Sequence, residues 1–113
     1  MELKKELLFE IILFIVGIMI ISLFYSNNIL VSILLIIIWA MAIKLWHQKH
    51  DIYFFIAGAI AGPIGEIICI RFGAWQYANP SFFGIPLWLP LAWGFVIMLI
   101  KRISETFVKI EMK

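Results

Sequence analysis

A carboxylate stands three residues past a proline inside an otherwise apolar run, Gly62-Pro63-Ile64-Gly65-Glu66. Close behind it come Gly73-Ala74-Trp75-Gln76-Tyr77, then Gly84-Ile85-Pro86-Leu87-Trp88-Leu89-Pro90 and Trp93-Gly94. An ionisable group placed in hydrocarbon is costly, so an acid beside helix breakers and aromatics marks a candidate site. In a dry, aromatic-lined cavity such an acid can donate a proton to an apolar substrate, or exchange that proton for a cation. Glu66 is therefore the candidate proton donor, and Arg71, Trp75, Tyr77, Asn79, Trp88 and Trp93 are the candidate ligand-binding residues around it. On a regular helix Gly62, Cys69 and Gly73 share the Glu66 face to within about 60°, whereas Arg71 is turned away by about 140°. The competing reading makes Trp75, Tyr77 and Trp88 members of an interfacial aromatic belt and Glu66 a structural carboxyl bonded across helices.

Other chemistry is thinly supported. His47 and His50 have an i, i+3 spacing with Asp51 adjacent, but no second cluster completes a coordination shell, so neither a metal nor a cofactor is expected. Glu10 lies one turn into an apolar segment, where it is expected to reach the interface and meet Lys4, Lys5 or Lys44. At the outer face the sequence offers no Ser/His/Asp set and no paired acid, and it has no phosphate-cradling glycine loop, so hydrolytic chemistry is poorly supported. Cys69 is the single cysteine, which excludes an intrachain disulfide.

The elements that must position these groups follow from composition. Of 113 residues, 65% are hydrophobic and 14% charged, with a mean hydropathy of +1.08. A soluble domain of this size cannot hide that much apolar surface, so lipid is the expected solvent. The reading is an all-α, polytopic membrane protein, a single domain over residues 1–113 with spans near 7–25, 29–46, 52–70 and 85–100. Each segment approaches the roughly 20 residues that cross a bilayer core of about 30 Å. An aromatic stretch, re-entrant or interfacial, joins the third and fourth spans and is expected to act as a lid. A short amphipathic C-terminal helix is expected to carry Ile103, Phe107 and Ile110 on its membrane face, with Lys101, Arg102 and Lys109 near acidic headgroups. Pro86 suits the first turn of the fourth helix, and Pro90 predicts a kink.

Charge placement predicts the orientation. Lys4 and Lys5 precede the first span, Lys44 and Lys49 separate the second and third, and Lys101, Arg102 and Lys109 follow the fourth. The other two connections hold no Lys or Arg except Arg71, so both termini are expected in the cytoplasm of a multi-pass cell-membrane protein. The net charge of +2 is then topogenic, and no nucleic-acid partner is expected. In the third helix Ala57, Ala61 and Gly65 form one small-residue row and Gly58 with Gly62 another. These rows predict close helix association, and with Pro63 as a kink they make this helix the expected centre of the bundle or of a homodimer.

The stretch Gly62–Gly94 resembles part of the carotenoid-biosynthesis membrane protein family that includes the bacterioruberin-precursor hydratases. The residues that carry the resemblance are Glu66, Gly73 with Trp75 and Tyr77, Gly84 with Pro86, and Pro90 with Trp93; Trp75 replaces a tyrosine-like position. The resemblance implies hydration of an isoprenoid double bond, with Glu66 protonating the alkene and Trp75, Tyr77 or Trp88 stabilising the cation. Binding an apolar, isoprenoid-like ligand fits the same residues without catalysis. Two alternatives stay open: a small proton-coupled transporter using Glu66, similar in length and span number to the small multidrug resistance transporters, and a structural subunit of a larger membrane complex.

Overall fold

The computed structural model describes residues 2–46 and 49–112, and the side chains of all of these but 45 and 46. Four helices follow one another: α1 Leu3–Phe24, α2 Asn28–Trp46, α3 Asp51–Arg71 and α4 Leu89–Glu111. Among the described residues there is no strand, only an isolated antiparallel bridge between Phe82 and Ile85. The predicted all-α class holds. Two helices, α1 and α3, are long and apolar enough to cross a membrane, with mean hydropathies of 2.9 and 1.8. In α2 the apolar stretch is shorter, Asn28–Lys44.

Local sequence explains most of the helix ends. Asn27 accepts the Leu30 amide on Oδ1 at 3.1 Å, a side-chain cap that starts α2 directly after the α1 turn. At the end of α3, Gly73 takes φ +83°. Its amide donates to Ile70 O at 3.0 Å and the Ala74 amide donates to Cys69 O at 3.0 Å, which is the Schellman pattern. Phe83 and Gly84 both have positive φ, and Phe82 and Ile85 bond each other across them, a type I′ geometry.

Several expectations are corrected. The fourth helix begins at Leu89, not at Ile85, because the Phe83-Gly84 turn and a Leu89 amide bonded to Pro86 O carry the chain up to it. Pro90 occupies the first turn of α4, where a missing N–H costs nothing, so it starts the helix instead of kinking it. No separate amphipathic C-terminal helix follows: α4 runs unbroken to Glu111. Its inward face there is Arg102 and Thr106, both fully buried, while Phe107 is exposed. α3 likewise passes through Pro63 without ending.

The centre of the bundle is α4, not α3. Helix α4 touches each of the other three, most extensively α3 and then α1. Ala92, Phe95, Met98 and Leu99 of α4 form the core with Val31 and Leu35 of α2 and with Ile85, Trp88 and Leu89. The two small-residue rows of α3 have different fates. Gly58 and Gly62 lie against Trp93 and Ile97 of α4, where a Cβ on Gly58 would meet Ile97 Cγ1 at 2.7 Å. The other row, Ala57, Ala61 and Gly65, is exposed.

Ionic contacts gather at the opposite end from Glu66. Asp51 and Arg102 form an ion pair with both side chains at 0% exposure, Arg102 Nε lying 3.0 Å from Asp51 Oδ2 and its Nη2 bonded to the same oxygen. Lys101 Nζ adds a bond to Asp51 Oδ1 at 3.2 Å and one to Glu105 at 3.2 Å. Glu10 is fully buried rather than interfacial. The Thr106 hydroxyl lies 3.1 Å from Glu10 Oε2 and 2.9 Å from Arg102 O, and its one proton serves one of them at a time.

Candidate functional site

Because α3 and α4 run antiparallel, the last turns of α3 meet the first turns of α4. Glu66 and Trp93 are thereby brought together. The Schellman turn at Gly73 then folds the chain back, so that Trp75 and Tyr77 return toward the same carboxylate. Trp75 Nε1 donates to Glu66 Oε1 at 3.3 Å, and the Tyr77 hydroxyl bonds that same oxygen. Trp93 Nε1 donates to Oε2. Three donors, two from the loop after α3 and one from α4, converge on one side chain.

Glu66 is half-buried and stands at one end of a groove of about 520 Å³. The groove is walled by Ala57, Ala61 and Gly65 on α3 and by Trp93 and Ile97 on α4, with Trp75 and Cys69 beside the carboxylate. Its volume falls within the range of small-ligand sites, about 300–1,000 Å³. The walls are almost wholly apolar. The small row of α3 creates this space because no helix covers it.

The remaining predicted residues have other positions. Trp88 is 5% exposed and belongs to the core, its ring edge-on to Tyr77 at 6.1 Å, so it supports Tyr77 instead of lining the groove. Asn79 fastens the loop: its Nδ2 donates to Ser26 O at 2.9 Å, and its carbonyl accepts Asn28 Nδ2 at 2.8 Å. Asn28 Nδ2 also lies 2.8 Å from Ser81 Oγ, which accepts the Leu87 amide at 3.0 Å. Arg71 is exposed, and no ion pair among the described residues links it to Glu66.

Sequence reasoning missed the asparagine fastening and the buried Asp51–Arg102 pair. For the first, no local signal existed, because Asn28 and Asn79 are 51 residues apart. For the second, a signal existed: Arg102 and Thr106 are four residues apart, as are Glu6 and Glu10, and each pair places two polar groups on one helix face. Among the described residues no group of three His, Cys, Asp or Glu side chains could hold a metal ion. His47 lies outside the described residues. His50 takes a left-handed φ of 72° at the start of α3.

The Tyr77 phenol is pushed above its ordinary value, first by burial, then by its hydrogen bond to Glu66 and by that carboxylate's charge. An unfolded tyrosine releases its proton near pH 10, while the folded Tyr77 keeps it. The unfolded chain then binds fewer protons, so this contribution to stability is complete below about pH 10 and is lost as pH rises beyond it. A spectrophotometric titration at 295 nm should show a late-titrating phenolate component that Tyr77→Phe removes. Its persistence in the variant would show that another tyrosine carries it.

No family model matches the chain, and neither a curated protein nor a solved structure matches it.

Proposed function

We propose that this chain is an integral membrane protein of four spans with both termini cytoplasmic, and that its groove at Glu66 binds an apolar ligand in the outer leaflet. One observation carries the reading: three donors from α4 and from the 72–88 loop converge on a single carboxylate at the end of an apolar groove. A side chain so fully addressed is preorganised, as recognition requires. An isoprenoid-like chain has the section and polarity that walls of Ala57, Ala61, Gly65 and Ile97 accept.

The membrane setting rests on α1 and α3 and on the apolar exterior. Ile11, Ile15, Ile18, Ile33, Ile37 and Ile60 are all well exposed. In water this surface would drive aggregation, whereas in lipid it costs nothing. Lys4, Lys5, Lys44, Lys49, Lys101, Arg102 and Lys109 belong to the Asp51 end and Arg71 alone to the Glu66 end. That asymmetry supports an orientation with the Asp51 end on the cytoplasmic side.

Binding accounts for the site more fully than catalysis. Proton transfer to an alkene requires Glu66 to carry a proton and a second group to orient water, and among the described residues no second acid or histidine joins the donors named above. Native mass spectrometry of protein extracted in mild detergent should detect a bound apolar molecule distinct from bulk phospholipid. Trp75→Ala should reduce its occupancy at least five-fold. Equal occupancy in the two proteins, or bulk lipid alone in both, would reject the reading.

A further inference from the structure

The donor set around Glu66 specifies a charge state and, with it, a ligand class. Two of the three partners are indoles, which have an N–H to give and no lone pair to receive. Trp75 occupies Oε1 and Trp93 occupies Oε2, so each carboxylate oxygen already accepts from a group that can only donate. A protonated Glu66 would have to direct its O–H at Tyr77, the one partner able to accept, which turns that bond around and takes from the phenol proton the acceptor it has here. Two indoles and a phenol are arranged for an acceptor-only group. That group is a carboxylate.

All three donors are neutral, so the site keeps its full negative charge. Arg71 forms no ion pair with it among the described residues, and the salt bridges given by Lys101 and Arg102 lie at the other end of the bundle. At 1.5 Å per residue, Asp51 and Glu66 are roughly 22 Å apart along α3, too far for the cations paired with Asp51 to reach the Glu66 carboxylate. Three hydrogen bonds use three of about four acceptor positions on a carboxylate, two on Oε1 and one on Oε2, and leave one open on Oε2. Beside it stands Trp75, with 46% of its surface exposed. An anion with an open acceptor position, an aromatic face and an apolar trough leading away from it complements a positive head on a hydrocarbon chain.

We propose that the groove takes a cationic amphiphile, an alkylammonium or similar lipophilic cation, with its head against Glu66 and Trp75 and its chain along Ala57, Ala61 and Ile97. This rests on the reading of the groove as an apolar-ligand site and narrows it to one charge class. A neutral amphiphile can fill the same trough and leaves the carboxylate without a counter-charge.

The probes are dodecyltrimethylammonium and dodecanol, added to the full-length protein in nanodiscs of zwitterionic lipid and followed by quenching of tryptophan fluorescence. The parent protein should bind the cation at least ten-fold more tightly than the alcohol. Glu66→Gln should erase that preference and keep the alcohol's affinity. Ala61→Leu, at an exposed position where a larger side chain fills the trough without disturbing the core, should weaken both ligands. Equal affinity for the two probes in the parent overturns the cation assignment and leaves the groove reading intact; this comparison needs no variant, so it holds even where Glu66→Gln fails to fold. Binding of neither probe overturns both. A preference for the cation that survives in a folded Glu66→Gln protein overturns the assignment to Glu66.

Discussion

Replacing Asp51 with alanine should destabilise the protein by about 3–5 kcal/mol, the usual cost of removing one partner of a buried ion pair. Both side chains of the Asp51–Arg102 pair are at 0% exposure, and Lys101 converges on the same carboxylate at 3.2 Å. The variant takes the directly bonded carboxylate away from a guanidinium that is fully buried. The cost is large because desolvation of the cation remains while its bonded ion pair is gone. A double variant, Asp51→Leu with Arg102→Met, should recover most of the loss, since apolar groups of similar volume carry no desolvation penalty. Equilibrium unfolding in mixed micelles, taken around the full double-mutant cycle, measures both values. A loss below about 1 kcal/mol for Asp51→Ala would place the pair in the solvent-exposed class, where ion pairs contribute little.

Gly62→Ala is expected to do comparable harm at the other end, by a steric route. A Cβ on residue 62 would lie 2.7 Å from Trp93 Cε3 and closer still to the indole Cγ and Cδ2, so the ring has to move. Overpacking of this kind costs about 1–3 kcal/mol. The Trp93 bond to Glu66 goes with it, and a hydrogen bond to a charged group is worth about 1.5–3 kcal/mol. Gly65→Ala is the internal control, because no atom lies within 4 Å of a Cβ there. Alanine in a helix interior is favoured over glycine by about 0.5–1 kcal/mol, so this variant should be neutral or stabilising. Thermal unfolding with the shift of tryptophan emission separates the two glycines. Equal behaviour would mean that the Trp93 indole can leave its place against α3 without loss.

The contrast between these glycines shows what the sequence can and cannot convey. Both belong to small-residue rows, and spacing alone made both rows sites of close helix approach. Only Gly58 and Gly62 meet α4; Ala57, Ala61 and Gly65 open the groove instead. Local pattern tells where a backbone can come near, while the choice of which face is covered depends on the whole bundle. The same limit explains why α3 looked central. Its glycines announce packing, whereas the hub role of α4 rests on Ala92, Phe95, Met98 and Leu99, which look ordinary in sequence.

Glu66 was legible because a lone acid in an apolar run has few structural uses, and Trp75, Tyr77 and Trp93 because aromatics with polar tips were placed near it. Asn79, Trp88 and Arg71 were assigned to the pocket by proximity along the chain. Their actual positions depend on contacts that local spacing does not encode, such as the Asn79 bond to Ser26, 53 residues away. The buried pair had the same character, since Asp51 and Arg102 are 51 residues apart and each resembles an ordinary interfacial charge when read alone. The start of α4 slipped by four residues because two prolines competed for its first turn, and Pro90 takes it.

The fastening of the 72–88 loop governs the path by which anything reaches Glu66. Asn28, Asn79 and Ser81 hold that loop to the α1–α2 turn, while the Ala57–Ala61–Gly65 flank of the groove stays uncovered along its length. In a bilayer the open flank faces acyl chains, so entry is sideways. On the proposed reading, a ligand arriving that way is drawn from the two-dimensional pool dissolved in the leaflet, and its occupancy follows its mole fraction in lipid. Molar concentration in the surrounding buffer is then the wrong axis for a binding isotherm. Two compounds with the same fit to the groove will differ in apparent potency by the ratio of their partition coefficients.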